Sequence, residues 1–147
     1  QRPLRAALVC SLALFSVGGA VGFMINGSDV RIPAHYHGSI VGGTLARMGV
    51  ADAVGPKLGG REIAAWPATW QIYLYALGQL LHIVGLVWSG GYGVQRKVAG
   101  AEQALRGFEQ IAGMGLMGAG GLLAVTGGLM FILVLAHSLI FGPGLRR

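Results

Sequence analysis

A chain of 147 residues that is 54% hydrophobic and only 11% charged is not composed like an ordinary soluble domain, in which about a quarter of residues carry charge. Its net charge of +6 sits between the apolar runs and at the two ends, as in a membrane protein whose loops meet lipid headgroups. No basic stripe interleaved with aromatics lies on a polar segment, which argues against a nucleic-acid surface. The single cysteine, Cys10, lies in an apolar run, can close no internal disulfide, and reads as a small core hydrophobe.

Four apolar segments predict an all-α membrane protein, one transmembrane domain of four helices belonging to a larger helical bundle. The first, residues 4–25, is "LRAALVCSLALFSVGGAVGFMI". It is too long for the apolar core of a signal peptide and lacks a small-residue cleavage site before Asn26, so it reads as a span. Asn26-Gly27-Ser28-Asp29 supplies turn chemistry. The second segment, residues 33–54, opens on Pro33, suited to a first helical turn where its missing N–H has no partner to lose. It is the most polar of the four, with His35, His37, Ser39, Thr44, Arg47 and Asp52. Such a helix can sit at membrane depth only if other helices or a cofactor shield it.

The loop "GPKLGGREIAAWPA" follows. The third segment, residues 69–88, carries Trp70, Tyr73, Tyr75 and Trp88 towards its ends, where amphipathic rings settle at the interfaces. A second polar loop, "SGGYGVQRKVAGAEQALRGFEQ", leads to the fourth segment, residues 111–141, with glycines at 113, 115, 118, 120, 121, 127 and 128. Small residues let helix backbones approach closely in lipid. Four spans offer few neighbours for so many glycines, so further helices are expected.

With four spans, Arg2, Arg5, Lys57, Arg61, Arg146 and Arg147 share one side and Arg31, Arg96, Lys97 and Arg106 the other. The bias predicts cytoplasmic termini and an integral protein of the bacterial inner membrane. His35, His37 and His82 then share the outer part of the membrane, His82 roughly 9 Å below Trp88 at 1.5 Å per residue, while His137 lies near the inner end of the last span.

The stretch "RIPAHYHG" carries the most specific chemistry. Residues i and i+2 of a helix point about 200° apart, so His35 and His37 cannot clamp one metal. They can ligate two, such as two heme irons, one on each flank of the helix. Alternatively, both are interfacial histidines bonded to water or loop carbonyls. Arg96 and Lys97 can pair with the propionates of a heme near that face, arginine through its planar fork, or form an ordinary solvated loop pair. His82 can ligate, bond a cofactor substituent or satisfy a neighbouring helix. Arg47 and Asp52 can mark a partner contact or a water-filled path, with Arg47 alternatively snorkelling to the interface. His137 receives no role.

These residues carry a resemblance. "IPAHYHG" resembles the histidine–aromatic–histidine motif in the tenth helix of subunit I of the heme–copper oxidases, and "LLHIVGLVWSGGYGVQRK" is similar to that subunit's eleventh helix and the loop after it. The order of segments also fits, so the resemblance spans helices nine to twelve, the C-terminal third of a twelve-helix subunit. It implies that His35 is the proximal ligand of a high-spin heme and His37 an axial ligand of a low-spin heme that delivers electrons to it. Tyr36 would lie near the path between the hemes, Arg96 and Lys97 would face propionates, and His82 would lie beside the heme region without ligating. The family shows two arginines where this chain has Arg96-Lys97. Its copper site, three histidines and a tyrosine, and its second low-spin ligand lie on earlier helices that have no counterpart here.

The resemblance therefore implies an oxidoreductase reducing oxygen to water, or in a relative nitric oxide, only together with a companion chain or missing part that supplies copper. The remaining subunit I helices, other oxidase subunits, membrane lipid and an electron donor, cytochrome c or a quinol, would be its partners. Two other readings stand beside it: a non-redox structural or assembly subunit, and a small b-type electron-transfer subunit with one heme between two histidines, His82 and His37 included.

Overall fold

The computed structural model describes residues 2–98 and 100–143. Among them, every regular element is helical: α1 (Arg2–Gly22), α2 (Arg31–Val54), α3 (Ala65–Gly91) and α4 (Phe108–Ile140), with 3₁₀ turns at Gly55–Leu58 and Gly100–Gln103. α1, α3 and α4 are long and apolar enough to cross a membrane, the pattern of an integral membrane protein. α2 has the length, at 24 residues, but its polar side chains keep it below that threshold of hydropathy.

The helices start earlier than the sequence reading placed them. α3 begins at Ala65 rather than residue 69 because Pro67 stands in the first turn, where proline removes no helical hydrogen bond. Pro3 and Pro33 occupy the same part of α1 and α2. α4 begins at Phe108 rather than residue 111 because the Gln110 side chain turns back to accept from the backbone N–H of Arg106 at 2.9 Å and of Gly107 at 3.4 Å. At 33 residues and 1.5 Å per residue, α4 runs about 50 Å, well beyond a hydrocarbon core of about 30 Å.

Glycines set the helix pairing. Gly18 of α1 meets Gly38 of α2 backbone to backbone, Gly42 lies against Ser11 and Phe15, and Gly49 lies against Ala7. The descending numbers on one side against ascending ones on the other make α1 and α2 antiparallel. α3 and α4 pair in the same way: Gly78 meets Ala124, Gly120 meets His82 and Gly113 meets Ser89. The two pairs join through a core of Leu14, Val41, Leu45, Met48, Ile72, Ile83 and Leu86. The result is an up-down-up-down bundle. One end gathers the start of α2, the end of α3 and the start of α4; the other gathers the end of α2 and the start of α3.

Close backbone approach predicts a sharp contrast between glycines of α3–α4. Gly78→Val drives a side chain into the Ala124 backbone, an overpacking that costs about 1–3 kcal/mol or more. Gly118→Ala faces open space and gains up to about 1 kcal/mol of helix propensity. Unfolding midpoints in detergent should fall for the first and hold or rise for the second.

Candidate functional site

At the end where α2 begins, the two connecting loops form one platform. The Val30 N–H donates to Val94 O at 3.1 Å, and Asp29 bridges to Gln95. The Arg96 guanidinium Nε donates to Ser28 Oγ at 3.1 Å, and the Gln110 amide donates to Tyr92 O at 2.8 Å. Arg96 and Lys97 are therefore held at the same end of the bundle as His35 and His37. Lys97 adopts a left-handed backbone, φ 66°, and its side chain is exposed.

Asp29 organises the start of α2. Its Oδ1 accepts from the Arg31 backbone N–H at 2.8 Å and from Arg31 Nε at 3.0 Å, while Oδ2 pairs with Arg31 Nη2 at 2.5 Å. The hydrogen bonds from the Arg31 side chain hold the Asp29 carboxyl below its ordinary range.

The histidines share one orientation. His35 Nδ1 lies 2.7 Å from Gly18 O on α1, His37 Nδ1 lies 2.8 Å from Pro33 O on its own helix, and His82 Nδ1 lies 3.0 Å from Met117 O on α4. A carbonyl oxygen only accepts, so in each ring Nδ1 carries the proton. In the neutral imidazole, that leaves Nε2 with its lone pair free. This is the tautomer a metal-ligating histidine uses when its other ring nitrogen is bonded to a backbone carbonyl. Glycines make room for two of the rings: a Cβ on Gly22 would lie 3.0 Å from His35 Nδ1, and one on Gly121 would lie 3.3 Å from His82 Nδ1.

The flanks separate as the i, i+2 geometry predicts. His35 faces α1, whereas His37 faces α3, where its ring centroid lies 4.6 Å from that of His82, the planes inclined by 36°. Two imidazoles that clamp one iron have donor nitrogens about 4 Å apart, given metal–nitrogen bonds of about 2 Å, and ring centroids roughly 6 Å apart. His37 and His82 are in ring-to-ring contact at closer range, which is not the geometry of two ligands sharing one iron. Tyr36, between the ligand candidates, is 55% exposed. Among the described residues no three His, Cys, Asp or Glu side chains converge on a metal position.

Other sequence candidates lie elsewhere. Arg47 is exposed and Asp52 is buried. Asp52 instead accepts from Gln71 Nε2 at 2.6 Å. His137 is at the opposite end of the bundle, its ring 5.0 Å from Phe141, beside a cavity of about 420 Å³ that Arg61 and Glu62 also line. Arg146 and Arg147 lie outside the described residues. Sequence reasoning missed the Gln71–Asp52 pair, and it raised a His37–His82 pairing only as two ligands of one heme, not as direct ring contact. The signal was present: Gln71, Tyr75, Gln79 and His82 recur at the spacing of one helix face.

No family model matches the chain, and no solved structure does. The chain is similar to an uncharacterized protein of Rickettsia prowazekii (strain Madrid E), 38% identical over 154 aligned residues, which cover 97% of this chain and 30% of the relative. A 45-residue stretch, 29% of the chain, is 47% identical to part of an uncharacterized protein of Aquifex aeolicus (strain VF5), covering 12% of it. The chain thus spans about 30% of the length of the relative that it matches almost end to end.

The Asp29 pairing gives a signed pH dependence. Its folded pKa lies below the unfolded value of about 3.9, so its stabilisation is complete above that value. The stabilisation disappears as pH falls through the lower folded pKa. Thermal midpoints measured from neutral pH down to this acid window should fall more steeply for the wild type than for Asp29→Asn, which starts lower and lacks this component.

Proposed function

We propose that this chain is the C-terminal, heme-bearing part of a membrane oxidoreductase of the heme–copper oxidase type. His35 and His37 each ligate a separate heme, high-spin and low-spin respectively. The observation that carries the reading is the pair of imidazoles on opposite flanks of α2, both with Nδ1–H tied to a carbonyl, which leaves the Nε2 lone pair free in the neutral ring. All four helices span the membrane in this reading, with α2 shielded by α1, by α3 and by the porphyrins at its histidines. The termini are cytoplasmic, and the membrane is the bacterial inner membrane.

When bound, heme supplies one-electron transfer and oxygen chemistry; the chain's residues supply position and charge. The Gly18 and Pro33 carbonyls fix the tautomer and swing of the two ligating rings. His82, bonded to Met117 O, holds the other face of the His37 ring and restrains its rotation. Arg96, anchored to Ser28, and Lys97 offer cations to propionates at the loop platform. Copper and the second low-spin ligand come from helices outside this chain. A relative more than three times its length is long enough to carry them, which supports reading the chain as part of a larger subunit. Electrons arrive from cytochrome c or a quinol.

The 4.6 Å contact of His37 with His82 speaks against the small b-type subunit with one heme between those residues. The structural-subunit reading draws on the tight glycine-mediated pairing of α3 with α4, but that pairing does not require His35 and His37 to present free Nε2 atoms.

Optical spectra of the purified assembly test the assignment. The wild type should show a low-spin band and a high-spin band sensitive to carbon monoxide. His37→Ala should abolish the first and His35→Ala the second, while His82→Ala keeps both. Absence of Soret absorption from the wild-type assembly, or a low-spin band that survives His37→Ala, would refute it.

A further inference from the structure

An open groove runs between α1 and α3, which both begin at the end of the bundle away from His35 and His37 and so run parallel. Three cavities that share residues make up its length. Arg2 and Arg5 line the first two, of about 540 and 390 Å³. The second continues past Val9 and Thr69 to Tyr73. Tyr73 also lines the third, of about 390 Å³, which extends from Cys10 and Ala13 on α1 to Ala76 and Leu80 on α3. Helical spacing builds both walls. Arg2, Arg5, Val9, Ala13 and Val17 fall within an arc of about 120° on α1, and Thr69, Tyr73, Ala76 and Leu80 within about 60° on α3. Ala13 and Ala76 put little side-chain volume between the helices, which leaves the space.

The groove is sorted by polarity along its length. Its mouth is cationic: Arg2 and Arg5 are exposed, and neither forms an ion pair among the described residues. No Asp or Glu lines any of the three cavities. The acids at this end of the bundle face elsewhere. Asp52 is buried against Gln71, and Glu62 lines the cavity beside α4 with His137. Thr69 Oγ1 donates to Ala65 O at 2.6 Å, so it can meet the groove only as an acceptor. Beside it, Trp66 and Trp70 are exposed with ring centroids 6.2 Å apart, the amphipathic rings of a membrane interface. From Thr69 to Leu80 the groove rises about 16 Å, close to half of a hydrocarbon core of about 30 Å.

We propose that this groove holds one anionic phospholipid, its phosphodiester at Arg2 and Arg5 and one acyl chain running past Tyr73 to Leu80. Guanidinium forks match phosphate oxygens, and basic pockets between membrane helices select such headgroups. A zwitterionic lipid would bring an amine or choline for which the groove has no carboxylate. A glycerol headgroup instead finds an acceptor at Thr69. Tyr73, with an apolar ring and a polar tip, suits the ester level between headgroup and chain. Free phosphate would satisfy the arginines and leave the apolar third cavity unfilled. The proposal rests on α1 and α3 being long and apolar enough to cross a membrane and not on the heme assignment.

Photocrosslinking of the purified assembly in nanodiscs tests it. The probe is phosphatidylglycerol with a diazirine midway along one acyl chain, and the adducts are mapped by mass spectrometry. They should fall on residues 10–17 and 73–80. Unlabelled phosphatidylglycerol should suppress them, whereas phosphatidylcholine at the same mole fraction and inorganic phosphate should not. Arg2→Gln and Arg5→Gln should each lower the yield about fivefold at sub-saturating probe. Arg61→Gln, beside the α4 cavity, should leave it unchanged. Suppression by phosphatidylcholine as effective as by phosphatidylglycerol overturns the proposal and makes the groove ordinary boundary lipid. Suppression by inorganic phosphate, or undiminished yield in both arginine variants, overturns it as well. So does labelling of other helices of the assembly with none on these two stretches.

Discussion

One kind of hydrogen bond, made three times, organises the end of this bundle that holds His35, His37 and His82: imidazole Nδ1–H to a backbone carbonyl. A histidine ring at membrane depth has two nitrogens to satisfy, and water is scarce there. Giving Nδ1 to a carbonyl fixes the tautomer, fixes the ring plane and presents Nε2 as a lone pair. His35 borrows its carbonyl from α1 at Gly18, and His82 borrows one from α4 at Met117. Helix packing therefore sets the orientation of these two rings directly. A shift of either neighbouring helix would move the donor that aims the ring.

Glycine makes those loans possible. Gly18 and Gly38 bring α1 and α2 into backbone contact, and Gly22 leaves space for the His35 ring; Gly121 does the same for His82. The same approach lets a helix as polar as α2 lie among apolar neighbours. Leu45, Met48 and Ala34 pack inward, while the imidazoles occupy the two flanks. At the start of the helix, Asp29 holds Arg31 and bridges to Gln95 of the loop platform.

Much of this arrangement was legible in the residues. Helix count and order followed from the apolar runs, and the opposed flanks of His35 and His37 followed from helical twist. The shared level of His35, His37 and His82 followed from antiparallel connectivity. The starts of α3 and α4 were misplaced because Pro67 and Gln110 look like loop residues, yet both are first-turn residues. A pairing of His37 with His82 was among the sequence readings and Gln71, Tyr75, Gln79 and His82 share one face of α3, but the ring-to-ring contact itself depends on the rotation of two helices about their axes, which periodicity does not fix. Asp52 was read as a candidate for a partner contact or a water path, but its pairing with Gln71 needed the register between α2 and α3. Arg47, on the exposed side of α2, has no explanation within this chain.

The proposed function requires two iron sites reached from opposite sides of one helix. Electron cryo-microscopy of the native membrane assembly tests that most directly. Two separate planar macrocycles should flank α2, one iron bound to Nε2 of His35 and the other to Nε2 of His37, with both Nδ1 atoms still against the Gly18 and Pro33 carbonyls. A map in which either imidazole packs only against protein or lipid, or in which both histidines approach a single group, would contradict it.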